Sequence, residues 1–96
     1  MEYRIKSRSR GDIIAQILEV ANGGAGKTKI MFGACSSYAQ LMNYLVMLES
    51  SELVVYDKID NLYKTTEKGL LFVKTHEQID RMLKPMTNSN SDQMNN

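Results

Sequence analysis

Leu53-Val54-Val55-Tyr56-Asp57-Lys58-Ile59-Asp60-Asn61-Leu62-Tyr63-Lys64-Thr65-Thr66-Glu67-Lys68-Gly69-Leu70 is the stretch that decides the fold. Leu53 to Tyr56 is apolar and β-branched enough for a strand. Leu62 to Thr65 alternates and can pair with it. Between them, Asp57 to Asn61 is polar apart from Ile59 and rich in turn formers. Thr65 or Thr66 then caps a last helix, expected over residues 66–84 and ended by Pro85. The reading is strand, turn, strand, capped helix.

Working upstream, Ser37 is a helix cap with Gln40 three residues on as its capping-box partner. Leu41, Leu45 and Leu48 then form the buried stripe of a helix placed at residues 36–50. Lys27 to Phe32 reads as a short helix with Ile30 and Met31 as its apolar contacts, broken by Gly33-Ala34-Cys35. Before it, Ser9 caps a helix whose Ile13, Ile14, Ile17, Leu18 and Ala21 recur at helical spacing, with Asp12 as a weak capping-box partner. Asn22-Gly23-Gly24 stops that helix, because glycine takes the left-handed conformation at little cost. The short turn between the second and third helices fits a helix-turn-helix. Followed by a hairpin, it gives a winged helix: α+β, mainly α, with a three-helix core, a β-hairpin wing and a C-terminal helix.

The ends read differently. In residues 3–10, Tyr3, Ile5, Ser7 and Ser9 alternate with Arg4, Lys6, Arg8 and Arg10, so residues 1–9 are a basic arm or a short edge strand. Residues 85–96 are rich in Asn and Ser and lack a core face, which reads as a disordered tail. The domain proper is expected at 10–84.

At 96 residues, with Cys35 its one cysteine, the chain has room for one modest core and no internal disulfide or Cys-rich zinc site. No apolar run reaches the roughly 18 residues of a membrane span, and no signal-like segment opens it. A cytoplasmic, nucleoid-associated protein is expected. The charge balance is 12 Lys and Arg against 11 Asp and Glu, a net +1. Its distribution is uneven, with the basic arm and Lys27 and Lys29 set against Glu49, Glu52, Asp57 and Asp60. That pattern suggests one basic face.

Ala21-Asn22-Gly23-Gly24-Ala25-Gly26-Lys27-Thr28 matches a relaxed phosphate-binding loop, and Asp57 after an apolar strand imitates the magnesium aspartate of such proteins. A phosphate-binding loop must leave a buried strand and enter a helix. Here an amphipathic helix precedes it, and a parallel sheet with crossovers needs far more chain. The loop reads as a helix–helix connection. No acid/base pair, nucleophile dyad or metal cluster stands at useful spacing, so no enzyme, cofactor, metal or small-molecule substrate is expected.

The residue types on the third helix suit duplex DNA. Its outward face carries Ser36, Ala39, Gln40, Asn43, Val46 and Met47. Gln and Asn can each bond adenine N6 and N7, and Ala can touch a thymine methyl. Ser36 and Ser37 could bond phosphate or base. Short polar side chains equally suit any solvated face. This helix has no Lys or Arg, so phosphate neutralisation falls to Lys27, Thr28 and Lys29, to Lys58, Asn61 and Lys64 of the hairpin, and to Arg4, Lys6, Arg8 and Arg10.

Other residues lean structural. Tyr38, Tyr44, Tyr56 and Tyr63 read as amphipathic core, and the seven methionines as gap filling. Phe72, His76, Ile79, Leu83 and Met86, spaced four, three, four, three, form a seam for a partner helix or for the domain's own core. A paired helix would make a homodimer, which would match half-sites on DNA.

A family resemblance follows from Asp12-Ile13-Ile14-Ala15-Gln16-Ile17-Leu18-Glu19, Gly26-Lys27-Thr28-Lys29-Ile30-Met31, Ser37-Tyr38-Ala39-Gln40-Leu41 with Tyr44-Leu45, and Tyr63-Lys64-Thr65-Thr66-Glu67-Lys68-Gly69. Over residues 10–75 the chain resembles small archaeal winged helix-turn-helix proteins, both DNA-binding proteins of the ten-kilodalton Sulfolobus type and transcription regulators of similar build. The resemblance implies DNA binding through the helix at 36–50 and the wing at 53–65, commonly as a dimer through the last helix. It makes Gly-Lys-Thr-Lys a signature of the second helix. The alternative is a winged helix used for protein interaction and dimerisation without strong DNA affinity.

Overall fold

Ser9 starts the first helix through a reciprocal cap. In the computed structural model, which describes residues 8–83, the Ser9 hydroxyl accepts from the Asp12 N–H and the Asp12 carboxylate accepts from the Ser9 N–H, both at 3.0 Å. This capping box opens α1 (Arg10–Ala21). The helix stops at Asn22, where Gly23 and Gly24 take φ of +88° and +112°, and the chain turns back on itself. Ala25 then pairs with Tyr63 in an isolated antiparallel bridge, N–H to carbonyl in both directions at 2.9 and 2.8 Å. That bridge ties the start of the second helix to the wing.

The second helix is longer than the sequence pattern predicts. α2 runs Lys27–Ala34, so Gly33 and Ala34 continue it instead of breaking it. Gly33 is there for close approach, since a Cβ on it would lie 3.0 Å from Val20 Cγ2 of α1. The break falls at Cys35, whose N–H still donates to the Met31 carbonyl.

Ser37 caps α3 (Tyr38–Ser50), its hydroxyl accepting from the Gln40 N–H. The helix thus begins two residues after the expected 36. Gln40 does not complete a box with Ser37. Its side-chain oxygen accepts from the N–H and hydroxyl of Ser36, one residue further out. At the other end, Leu53 N–H donates to the Leu48 carbonyl and Glu52 N–H to that of Glu49. This is a Schellman closure, built with Glu52 at φ +63° where glycine usually stands.

Because Leu53 is spent on the helix end, the first strand starts one residue later than expected. β1 (Val54–Asp57) pairs with β2 (Leu62–Thr65) in the register Val54↔Thr65 to Asp57↔Leu62. Thr66, not Thr65, caps α4 (Glu67–Leu83): its hydroxyl accepts from Gly69 N–H and donates to the Glu52 carbonyl. Thr65 instead donates to the Leu18 carbonyl of α1 at 2.6 Å.

One core gathers these elements. Ile13, Ile14, Ile17, Leu18 and Ala21 of α1 meet Ile30 and Ala34 of α2, Leu41, Leu45 and Leu48 of α3, and Leu53, Val54 and Tyr63 of the hairpin region. Phe72 and Val73 of α4 pack against its edge. Among the described residues the architecture is four helices and a two-stranded antiparallel hairpin, a winged helix. The expected arm residues Arg4 and Lys6, the helix end at Lys84 and Pro85, Met86 and the expected tail lie outside the described residues.

Candidate nucleic-acid interface

α2 begins without a side-chain cap. Gly26 is its N-cap residue and offers no oxygen to the first N–H groups. Lys27 and Thr28 follow it, and together they form one wall of a cleft of about 560 Å³ whose other wall is Tyr56, Asn61 and Tyr63 of the hairpin. The Tyr56 and Tyr63 rings lie 4.9 Å apart and tilted. The Tyr56 hydroxyl donates to the Asn61 side-chain oxygen. The uncapped start of a helix, a lysine, a threonine and an asparagine thus line one hollow, residue types suited to an oxyanion.

Lys27, Thr28 and Asn61 are expected at the interface from their sequence, whereas Tyr56 and Tyr38 are expected in or beside the core. That is corrected: Tyr38 is 55% exposed and Tyr56 38%. Of Tyr38, Tyr44, Tyr56 and Tyr63, only Tyr63 is buried, and burial pushes its phenol up from the usual value. No pattern within β1 marks Tyr56 as a cleft residue. The signal is the pairing of Ala25 with Tyr63, a contact 38 positions apart that brings α2 to the hairpin.

Along α3, Ala39, Asn43 and Val46 are exposed. Ser36 and Ser37 are exposed but tied into the local cap. Gln40 is half-buried, its oxygen occupied by Ser36, so a bidentate grip on adenine requires it to release that residue. Met47 packs against the core edge, and its sulfur lies 3.1 Å from Arg10 Nη2.

Two cations expected at the interface are committed within the fold. Arg8 Nη1 donates to the Ala34 carbonyl at 2.9 Å and to Gln16 Oε1 at 2.6 Å, while Gln16 Nε2 donates to the Gly33 carbonyl at 2.8 Å. Arg8 therefore closes the C-terminal end of α2, where the helix dipole favours a cation. Lys64 Nζ lies 2.9 Å from Asp57 and 3.7 Å from Asp60. The Lys64 hydrogen bond is the main reason the Asp57 carboxyl sits below its usual range, and the same bond raises Lys64. Lys29 and Lys58 are exposed and pair with no acid among the described residues.

The stripe on α4 is divided. Phe72 packs on the core edge and stacks on His76, with centroids 6.3 Å apart. His76 Nε2 stands 3.0 Å from the Asp12 carboxylate. This half docks on the chain's own α1. Ile79, Met82 and Leu83, further out, are exposed.

Cys35 is half-buried, and burial pushes its thiol up, with Arg8 partly opposing; that is the environment of an unreactive cysteine. Among the described residues no cluster of three His, Cys, Asp or Glu could hold a metal ion. No helix there is long and apolar enough to cross a membrane. The loop before Lys27 leaves a helix, α1, and not a strand.

No curated protein matches the chain. Residues 7–84, most of the sequence, match the winged helix-turn-helix family. With a helix-turn-helix at α2–α3, a hairpin wing and a helix closing behind it, the chain belongs to the winged helix-turn-helix family, whose general capacity is DNA binding.

Proposed function

We propose that this protein is a DNA-binding transcriptional regulator or chromatin-associated protein. Duplex DNA is held through α3, the start of α2 and the wing. The observation that carries this reading is the cleft at Gly26, Lys27 and Thr28 facing Tyr56 and Asn61. A phosphodiester there would meet uncapped helix N–H groups, an ammonium and two neutral polar side chains. Ala39 and Asn43 on α3 are the residues free to read bases, with Ser36, Ser37 and Gln40 able to join if the local cap opens. Lys29, Lys58, Arg10 and the arm residues Arg4 and Lys6 add phosphate contacts; Arg8 and Lys64 are engaged within the fold instead. The resemblance to archaeal regulators and to DNA-binding proteins of the Sulfolobus type supports the same role, in the cytoplasm and on the nucleoid.

A salt-titrated gel shift on mixed duplexes tests it. Each phosphate contact contributes about 0.9 to the slope of log affinity against log salt, so Lys27→Ala with Lys58→Ala lowers the slope by about 1.8. Affinity indifferent to salt and to both changes would sink the proposal.

A homodimer through the outer end of α4 accompanies this reading, because Ile79, Met82 and Leu83 are exposed together. Light scattering at a dimer mass, reduced to a monomer by Ile79→Asp, is the expected result. The second reading, an interaction module with little DNA affinity, draws on exposed Val46 and on the absence of Lys and Arg from α3. It predicts the dimer without the gel shift.

A further inference from the structure

Ile59 stands at the end of the wing with 93% of its surface exposed, more than any other large apolar side chain among the described residues. A lone exposed isoleucine is ordinary on a protein surface. This one is presented on a fixed mount. Asp57 Oδ1 accepts from the N–H of Ile59 at 2.9 Å and from that of Asp60 at 3.2 Å. Both tip acids lie within reach of Lys64, whose single charge answers Asp57 at 2.9 Å and leaves Asp60, 3.7 Å away and 57% exposed, to be balanced by Lys58. Asn61 takes a left-handed φ of +59° and its side chain is held by Tyr56. The formal charges of Asp57, Lys58, Asp60 and Lys64 cancel. What the tip offers outward is one apolar side chain between two exposed charged residues, Lys58 before it and Asp60, shared with Lys64, after it.

The shape and chemistry of this tip select its partner. An apolar groove on a protein would want a broad apolar patch, and the residues flanking Ile59 are polar. A phosphate clamp would want several free cations. The DNA minor groove is roughly 6 Å wide, its walls are phosphates and its floor is base edges. A hairpin turn with a single branched side chain fits that space, and Lys58 can meet a wall. The tip also continues the candidate interface, because Asn61 lines the cleft at Lys27 and Thr28.

We infer that Ile59 is a wedge: it enters the minor groove at one base step, partly unstacks it and kinks the duplex, as inserted apolar side chains do. The inference rests on the DNA-binding reading above and adds a deformation to it. It also adds a source of sequence preference. Pyrimidine–purine steps open most easily, so sites with TA or CA at the wing position bind best although no hydrogen bond reads them.

The test uses the full chain with Ile59→Ser and Ile59→Met, and duplexes end-labelled for energy transfer. Wild type bends a duplex carrying a TA step by about 20–90°. Ile59→Ser leaves the duplex straight and binds it less tightly by on the order of tenfold, the loss of burying one isoleucine. Its salt slope is unchanged because no charge is removed. Ile59→Met, also a wedge residue, retains the bend. Thermal unfolding of both variants matches wild type, as befits an exposed position. If wild type binds without bending, or Ile59→Ser binds and bends like wild type, the wedge is overturned while the DNA-binding reading stands. If wild type shows no salt-dependent duplex binding, both fall together.

Discussion

Gly69→Ala is the substitution for which a general rule and this structure disagree most sharply. Alanine in a helix is favoured over glycine by about 1 kcal/mol, and α4 contains Gly69 in its first turn. Yet a Cβ at Gly69 would lie 2.3 Å from the Leu53 carbonyl oxygen and 2.6 Å from Thr65 Cγ2. Carbon and carbonyl oxygen meet comfortably at about 3.3 Å or more, so the start of α4 would have to retreat by roughly 1 Å. The obstacle is backbone and cannot rotate away. The retreat would stretch two bonds that seat the helix, Thr66 N–H to the Leu53 carbonyl at 3.1 Å and the Thr66 hydroxyl to the Glu52 carbonyl at 2.7 Å. Each is worth about 1 kcal/mol, and overpacking adds about 1–3 kcal/mol. Set against the helix-propensity gain, a net loss of about 2–4 kcal/mol is expected.

For a domain of this size each kcal/mol moves Tm by roughly 4–8 °C, so a fall of about 10–30 °C should appear in thermal unfolding followed by circular dichroism. Gly33→Ala is the internal control. Its Cβ would meet the Val20 side chain at 3.0 Å, a neighbour that can yield a few tenths of an ångström, and its net effect should lie within about 1 kcal/mol of zero. A Gly69→Ala protein as stable as wild type would refute the close packing of α4 on the Leu53 carbonyl.

Glu52→Gly should stabilise the protein by about 0.5–1 kcal/mol, because it relieves a left-handed residue at the end of α3; a lower urea midpoint would count against it. Asp12→Asn should weaken the fold at neutral pH. The Asp12 carboxyl lies below its usual 3.8 chiefly because the Ser9 N–H donates to it, with the Ser9 hydroxyl and His76 helping. A depressed carboxyl contributes stability above its unfolded value and loses it as pH falls through the folded one. The gap between variant and wild type, about 0.5 kcal/mol for a group this exposed, should therefore close below pH 3.8; a gap that persisted there would point away from charge. Arg8→Ala should cost about 1–2 kcal/mol of stability by uncapping α2. In a DNA titration it should leave the salt slope unchanged, whereas a slope smaller by about 0.9 would make Arg8 a phosphate contact after all.

The elements were legible because they rest on local chemistry. Ser9 with Asp12, the Gly23-Gly24 turn, Ser37 before Leu41 and the alternation of Leu62 to Thr65 each act within a few residues. What was not legible depends on distant ones. Gly33 looks like a breaker until Val20 is known to press on it. Leu53 looks like a strand residue until its N–H is found on Leu48. The candidate interface follows the same division. Its residue types could be read, but Arg8 lies 26 positions from the Ala34 carbonyl it caps, and the cleft exists because Ala25 finds Tyr63. Sequence alone treats every cation as available; the fold decides which ones are spent.

That decision bears on how such a nearly neutral chain could hold DNA. With Arg8 and Lys64 engaged, the described residues leave Lys27, Lys29, Lys58 and Arg10 at the proposed interface. Three or four phosphate contacts imply a slope of about −3 to −4, and an affinity loss on the order of a hundredfold between 50 and 200 mM salt, to which Arg4 and Lys6 of the arm would add up to about −1.8 of slope. From the described residues alone this is a modest electrostatic hold. Contacts that salt does not screen would add to it, and the uncharged residues are placed to provide them: Ala39 and Asn43 on α3, and Ile59 at the wing tip. The residual affinity extrapolated to 1 M salt isolates their share. It should be large relative to the slope, and Ile59→Ser should reduce it, whereas Lys27→Ala should change the slope and leave it alone.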